Sequence, residues 1–380
     1  MPNYSGKWKP PTVMQAEGAG NWPKRPPGLP GELWLWGSAS YGRLGLGNTT
    51  TYSSPKQVGA LTDWLEPSTG VYTTLARRFP GTLWAWGKNN YGQLGQGNTT
   101  VRSSPVQIGA LTTWAQISFS CFQAGYAVKT DGTLWAWGRN DTGQLGLGNT
   151  TYYSSPVQVG ALTDWLVVSG GYSYAIGTKT DGTLWAWGYN LHGTLGLGNT
   201  TDYSSPVQVG ALTDWLKGVA RYNNSASIKT DGTLWVWGEG DDGVLGLGNT
   251  TSYSSPKQVG ALTTWSDVSM GRKHTIALKT DGTLWTWGDN GHGQLGDGGT
   301  TATSSPVQVG ALTTWSRLTA GYYSSEVIKT DGTLWVWGQN NNGQLGTNNT
   351  TSYSSPVQVG ALATWTTLSA ATSFMGAVKQ

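Results

Sequence analysis

The pentapeptide Leu-Trp-x-Trp-Gly opens at Leu33, Leu83, Leu134, Leu184, Leu234, Leu284 and Leu334, at intervals of 50, 51, 50, 50, 50 and 50 residues. Seven near-copies of one unit cannot each close a core alone; they must bury their apolar faces on one another. A second marker, the Trp ending "GALTDW" and its variants, recurs at Trp64, Trp114, Trp165, Trp215, Trp265, Trp315 and Trp365. The two marker sets take 21 of the 23 tryptophans, so indole packing dominates whatever core forms.

Each unit reads as short strands. "SIKTDGTLWVWG" (227–238) has two alternating runs around Asp231-Gly232, which predicts a hairpin with a two-residue type I′ turn. "PVQV" (206–209) and "DWLVVSG" (164–170) supply the other two strands, and no segment keeps a helical period. Seven four-stranded units of about 50 residues predict an all-β, seven-bladed β-propeller over residues 31–380. Alternation along Leu184-Trp185-Ala186-Trp187 sets both tryptophans on one sheet face, where the neighbouring blade should cover them. Lys379 falls where Lys329 lies one unit earlier, and the strand that should follow is found at 32–36. Strand 376–379 is therefore expected to pair with 32–36 and seal the ring, removing an exposed edge.

Composition excludes much. Charged residues are 11% and the net charge is +3, which marks no nucleic-acid partner. The single cysteine, Cys121, rules out a disulfide framework. No stretch approaches the roughly 20 apolar residues of a membrane span, so no membrane insertion is expected. The N-terminus lacks the apolar core of a secretion signal. Without secretion, the Asn-Thr-Thr at Asn48, Asn98, Asn149, Asn199, Asn249 and Asn349 reads as turn chemistry, not glycan acceptor. No metal set, phosphate loop or catalytic arrangement is marked, so no enzyme activity and no cofactor are expected.

Variation is confined to two stretches per unit. The four residues after each Trp-Gly read SASY, KNNY, RNDT, YNLH, EGDD, DNGH and QNNN. The second stretch follows the corner Trp, as in "FSCFQAG" (119–125), "GGYSY" (170–174) and "MGRKH" (270–274). One precedes the first strand of the hairpin and the other follows its second strand, so both should reach the same face of the disc. The Asp-Gly turns and "GALT" corners, equally loop-like, barely change. Relaxed drift explains the difference poorly, and the residue types suit contact. The candidate binding face comprises Tyr41, Tyr91, Arg139, Asp141, Tyr172, Tyr174, Tyr189, His192, Arg221, Tyr222, Glu239, Asp242, Arg272, His274, His292, Tyr322, Tyr323 and Asn341.

"WGRNDTGQLGLG" (137–148), "WGKNNYGQLGQG" (86–97) and "MGRKHTIALKTDGTLWTWG" (270–288) resemble the regulator-of-chromosome-condensation repeat family. The resemblance spans all seven units and implies the seven-bladed fold. It implies no single function, since that family includes a nucleotide-exchange factor, ubiquitin-ligase modules and a β-lactamase inhibitor. The exchange factor's wedge would appear as an insertion, whereas here one blade gains a single residue.

Residues 1–30 form an arm with 7 of the 16 prolines, and Trp8 and Trp22 are its expected docking residues. "SGKWKPPTVMQAEGAGNWP" resembles opening segments of tailed-phage virion proteins. That resemblance implies a bacteriophage appendage, a homo-oligomer in the virion. Its arm would hold other virion proteins and its variable face a host-surface protein or glycan. The alternative expectation is a cytoplasmic protein-binding propeller, an inhibitor or exchange-factor-like module using the same face.

Overall fold

The structure is a computed structural model and describes residues 30–380. Among these, 28 strands form seven four-stranded antiparallel sheets. Blade 3 is typical: Trp165–Gly170, Tyr174–Lys179, Leu184–Gly188 and Tyr203–Gln208 lie side by side in chain order. The strand opening at the corner Trp is innermost, and the seven such strands neighbour one another around the axis. Blade 1 begins at Trp64, and blades 2 to 6 begin at the five corner tryptophans that follow it. Blade 7 is composite, pairing Trp365–Ala370 and Phe374–Lys379 with Glu32–Gly37 and Tyr52–Gln57. Its closing register runs from Glu32 opposite Lys379 to Gly37 opposite Phe374, so the ring seals as the repeat register predicted.

The apolar clusters lie between blades. Leu134, Ala136 and Leu145 of blade 2 pack against Trp165, Val168 and Trp187 of blade 3. The two tryptophans of each pair differ, however. The second (Trp187 and its counterparts) is fully buried, and its Nε1 donates to a carbonyl of the preceding blade, here Gln144 at 2.9 Å. The first (Trp185) is half-buried, edge-on to Trp165 at 6.3 Å, with the Lys179 ammonium 4.3 Å from its ring centre. Only one of each pair is therefore closed core; the other stands beside the Asp-Gly turn at the rim, its Nε1 donating to Thr183 Oγ1 at 2.9 Å.

The hairpin turn also departs from the type I′ expectation. Gly232 N donates to Lys229 O and Lys229 N to Thr233 O, with a positive φ (+78°) at Gly232 alone. This is a three-residue loop, a type I turn completed by a left-handed glycine. Asp231 accepts from Thr233 N and Oγ1, and Trp235 Nε1 donates to that same Oγ1. The relay repeats at Asp131, Asp181, Asp281 and Asp331, which explains why "TDGT" resists change. The Asn of Asn-Thr-Thr acts likewise: Asn149 Oδ1 accepts from Thr151 N at 2.9 Å, a turn closed by its own side chain.

Candidate binding face

In every blade the residue after Trp-Gly donates its backbone N–H to the residue of the second variable stretch that immediately precedes the blade's second strand. The bonds are Ser38 to Ser373, Lys88 to Tyr72, Arg139 to Gln123, Tyr189 to Ser173, Glu239 to Asn223, Asp289 to Lys273 and Gln339 to Tyr323, each 2.8–3.0 Å. The two variable stretches thus meet seven times on one face, extending the hairpin beyond its last strand pair. The tetrapeptide is not uniformly free. Its second residue is a fully buried Asn in five blades. Asn140, for example, binds Asn149 O and Thr151 O and accepts from Leu145 N. Only the first, third and fourth positions are available for display.

Side chains on this face join across blades. Arg139 lies 4.4 Å from the centre of the Phe122 ring and 5.5 Å from that of Tyr91, and Phe122 stacks on Tyr172 at 4.5 Å. Tyr91 in turn meets Tyr152 at 5.4 Å. Partial burial depresses the Arg139 guanidinium, but its ion pair with Asp141 more than offsets this and leaves its pKa raised. Three blades are thereby linked into one aromatic–cationic strip. A second strip runs over blades 4 to 6. Tyr222 and Tyr322 are 5.0 Å apart, Arg272 covers Tyr322 at 4.8 Å and donates to Tyr323 Oη at 3.0 Å, and His292 meets Tyr323 at 4.8 Å. Beside it, Lys273 pairs with Asp242 at 2.6 Å, a contact that raises the lysine's pKa. A third group sets Tyr41 against Tyr72 at 5.4 Å, with Lys88 about equally close to both rings.

Of the expected residues, Tyr41, Asp141, Tyr172, Asp242, Arg272, His292 and Asn341 are exposed. Tyr91, Arg139, Tyr189, His192, Glu239, Tyr322 and Tyr323 are half-buried, Tyr189 lying edge-on to His192. Three expectations are corrected. Tyr174 is fully buried, its hydroxyl held by Asn224 O and Ser225 Oγ of the next blade. His274 occupies the equivalent position in blade 5, its Nε2 3.0 Å from Ser325 Oγ, and burial lowers its pKa to about 4. Tyr222 is 8% exposed because it turns into the axial opening, its hydroxyl 3.1 Å from Thr372 Oγ1 across the ring. Arg221 beside it reaches Ala370 O of blade 7. Tyr174 and His274 end the variable stretch where the next strand begins, and strand residues point between blades. Replacing either with Ala should lower the melting temperature, whereas Tyr172→Ala should leave it within about a degree.

Sequence reasoning left Tyr72, Lys88, Phe122 and Tyr152 out of the face, although three of them sit within the variable stretches. Trp8 and Trp22 lie outside the described residues. Among the described residues, no helix is long and apolar enough to cross a membrane.

The regulator of chromosome condensation (RCC1) repeat matches residues 30–77, 80–123, 131–176, 181–220, 231–278, 281–328 and 331–378. A 53-residue segment is 40% identical to human Protein RCC2, covering 14% of this chain and 10% of that protein. The zebrafish (Danio rerio) RCC2 homolog is 38% identical over 53 residues, 14% of this chain and 11% of its own. The chain thus spans about a tenth of the length of these curated relatives. Yeast RCC1 (Prp20), solved with Kap60 bound, superposes with a TM-score of 0.83 at 18% identity, over 100% of this chain and 96% of that one. Human WBSCR16 gives 0.81 at 18% identity, over 92% and 98%. These structures share the fold.

Proposed function

The chain belongs to the regulator of chromosome condensation (RCC1) repeat family, and on that premise we propose that it is a non-enzymatic protein-binding propeller whose variable face receives the partner. The observation that carries this reading is the seven-fold meeting of the two variable stretches, with aromatic and arginine side chains linked from blade to blade. Tyr and Arg are enriched among the residues that concentrate binding energy at protein interfaces, Tyr for large contact area at small entropic cost and Arg for its planar fork of donors that also stacks on aromatic rings. Charges on the face are mixed and largely paired, Arg139 with Asp141 in blade 2 and Lys273 of blade 5 with Asp242 of blade 4.

Of the two settings weighed from sequence, the matched repeat and the RCC2 relatives favour the intracellular interaction module over the virion appendage. Yeast Prp20, which shares the fold, is described as binding Gsp1p and histones. A protein partner fits the aromatic and arginine side chains that this chain links across its variable face.

The test is cross-linking and mass spectrometry with the full chain as bait, repeated with Tyr172→Ala, Arg272→Ala and Tyr323→Ala. Each should weaken capture of the recovered partner by roughly tenfold or more, as truncated hot-spot residues do, without moving the melting temperature. Undiminished capture by all three variants would overturn the reading.

A further inference from the structure

Two neighbouring blade junctions, away from the variable face, are built differently. Between blades 2 and 3 a groove of about 310 Å³ runs past Leu147, Leu162, Trp165, Trp185 and Pro206. Tyr153 packs on the same apolar cluster, and its hydroxyl accepts from Asn149 Nδ2 at 3.2 Å. Between blades 1 and 2 the groove holds about 530 Å³. Two replacements in blade 1 accompany the larger space. Gln96 stands where blade 2 has Leu147, and Arg102 where it has Tyr153, and both line the groove. Arg102 is the one cation in a column of five tyrosines and Thr303.

The disc itself leaves polar atoms of both side chains unused. Arg102 is half-buried, its Nε has no hydrogen-bond partner, and no carboxylate among the described residues pairs with its guanidinium. Gln96 Nε2 donates to Ala85 O at 3.1 Å and to Val106 O at 3.3 Å, which fixes the amide and leaves its buried Oε1 without a donor.

Acids have also been withdrawn from this junction. In blade 3 Lys179 pairs with Asp164 at 3.4 Å, whereas in blade 2 Thr113 takes the aspartate's place and Lys129 lies 3.7 Å from the Trp135 ring centre. The turn at the corner is Phe79-Pro80-Gly81, whose Gly81 O accepts from Trp114 N; the next junction sets Asp131-Gly132 against Trp165 in the same way. Arg102, Thr113 and Pro80 thus each shift the groove by one positive charge relative to its neighbour. Asp131 remains beside Trp135, its Oδ1 taken up by Thr133 N and Oγ1.

A guanidinium without a counter-ion suits a carboxylate, which its planar fork can hold through two hydrogen bonds. The free Gln96 Oε1 suits an N–H or O–H donor. Leu111, Trp135 and Pro156 supply an apolar wall for a flat ring. The volume lies in the range of roughly 300–1,000 Å³ usual for small-molecule sites. We propose that the groove between blades 1 and 2 binds a small aromatic carboxylate carrying an adjacent N–H or O–H donor. Its carboxylate meets Arg102, its donor meets Gln96 Oε1, and its ring lies along Trp135. The site is separate from the variable face and independent of the partner bound there.

The probe is N-acetylphenylalanine, titrated into the full chain and followed by saturation-transfer NMR. It should bind with a dissociation constant on the order of 1 mM. The neutral N-acetylphenylalaninamide should bind roughly tenfold more weakly or worse, since it forfeits the charged hydrogen bonds. The double variant Gln96→Leu, Arg102→Tyr gives blade 1 the residues that blade 2 already carries. It should keep the melting temperature and lose affinity for the acid by roughly tenfold or more. Arg102→Gln alone should repeat that loss without altering the apolar wall. Absence of saturable binding, equal binding of acid and amide, or undiminished binding by the variants would each overturn the proposal.

Discussion

Replacing Glu326 with Gln should stabilise the protein at pH 8 by roughly 2–4 kcal/mol and leave it nearly unchanged at pH 5. Glu326 lies in blade 6 at a position filled by Leu75, Tyr126, Ile176, Ala226, Ile276 and Gly376 in the others. It is 1% exposed, and burial pushes its pKa up to about 8, only partly opposed by the Ser324 hydroxyl and the Arg221 guanidinium. Ser324 Oγ donates to Oε1 at 2.6 Å, whereas Oε2 has no partner. The folded chain thus holds this proton up to about pH 8, while the unfolded chain releases it near the ordinary 4.5. Between those values the folded state binds more protons, so stability is full below about 4.5 and is lost as pH rises toward 8. Gln keeps the shape and can accept from Ser324, but has no proton to lose. Denaturant titrations of both proteins at pH 5 and pH 8 decide the matter. A wild-type protein that gains on the variant between those pH values would contradict the assignment.

His274 works from the other side. Its pKa is depressed to about 4 by burial, so its contribution is present above about 6.5 and is lost as pH falls toward 4. The two groups together set an acidic limit and a basic limit on the ring. His274→Gln should remove the acidic one, flattening the melting temperature between pH 6.5 and pH 4.5.

Neither group was visible as a pH-sensitive residue from sequence, and the reason is specific. His274 ends a variable stretch, and the boundary between displayed loop and buried strand falls one residue earlier than the pattern suggested. Glu326 sits inside a strand whose period is intact, so alternation alone does not flag it. Comparison of equivalent positions would have found it, as the one acid in a column of apolar and small residues. Arg43 is a parallel case. Other copies have Gln, Thr or Val at that position, while Arg43 is buried and donates to Ser38 O, Val71 O and Ser373 Oγ at the blade 7 junction. The blade count, strand order and ring closure were legible because they follow from spacing and register, which repetition amplifies sevenfold. The positions of Arg221 and Tyr222 were not, because they depend on an axial opening that only the closed ring creates.

The sharpest test of the inter-blade core compares two tryptophans two residues apart. Trp187→Ala should cost about 4 kcal/mol, within the range for emptying a fully buried indole site. The site has no means of collapsing. Leu134, Ala136 and Leu145 press on the ring from blade 2, and both blades are held in a closed circle. The change also removes one of two donors to the Gln144 carbonyl, which keeps the Tyr126 hydroxyl at 2.7 Å, so the lost hydrogen bond adds little to the cost of the cavity. Gly146 shows how tightly the ring is gripped: a Cβ there would lie 2.8 Å from Trp187 Nε1, and its φ of +74° already demands glycine. Trp185→Ala should cost far less, about 1–2 kcal/mol, because that indole is half-buried and its losses are the edge contact with Trp165 and the Lys179 ammonium. Chemical denaturation of the two variants provides the measurement. Equal losses would show that both tryptophans of the pair are core, and that the half-buried rim contributes as much as the inter-blade contact. A large loss at Trp187 alone locates the stability of the ring where each blade leans on the one before it. Each such contact belongs to two blades, so a single empty indole site weakens both at once and, through the closed circle, the seal made by Glu32–Gly37 and Phe374–Lys379.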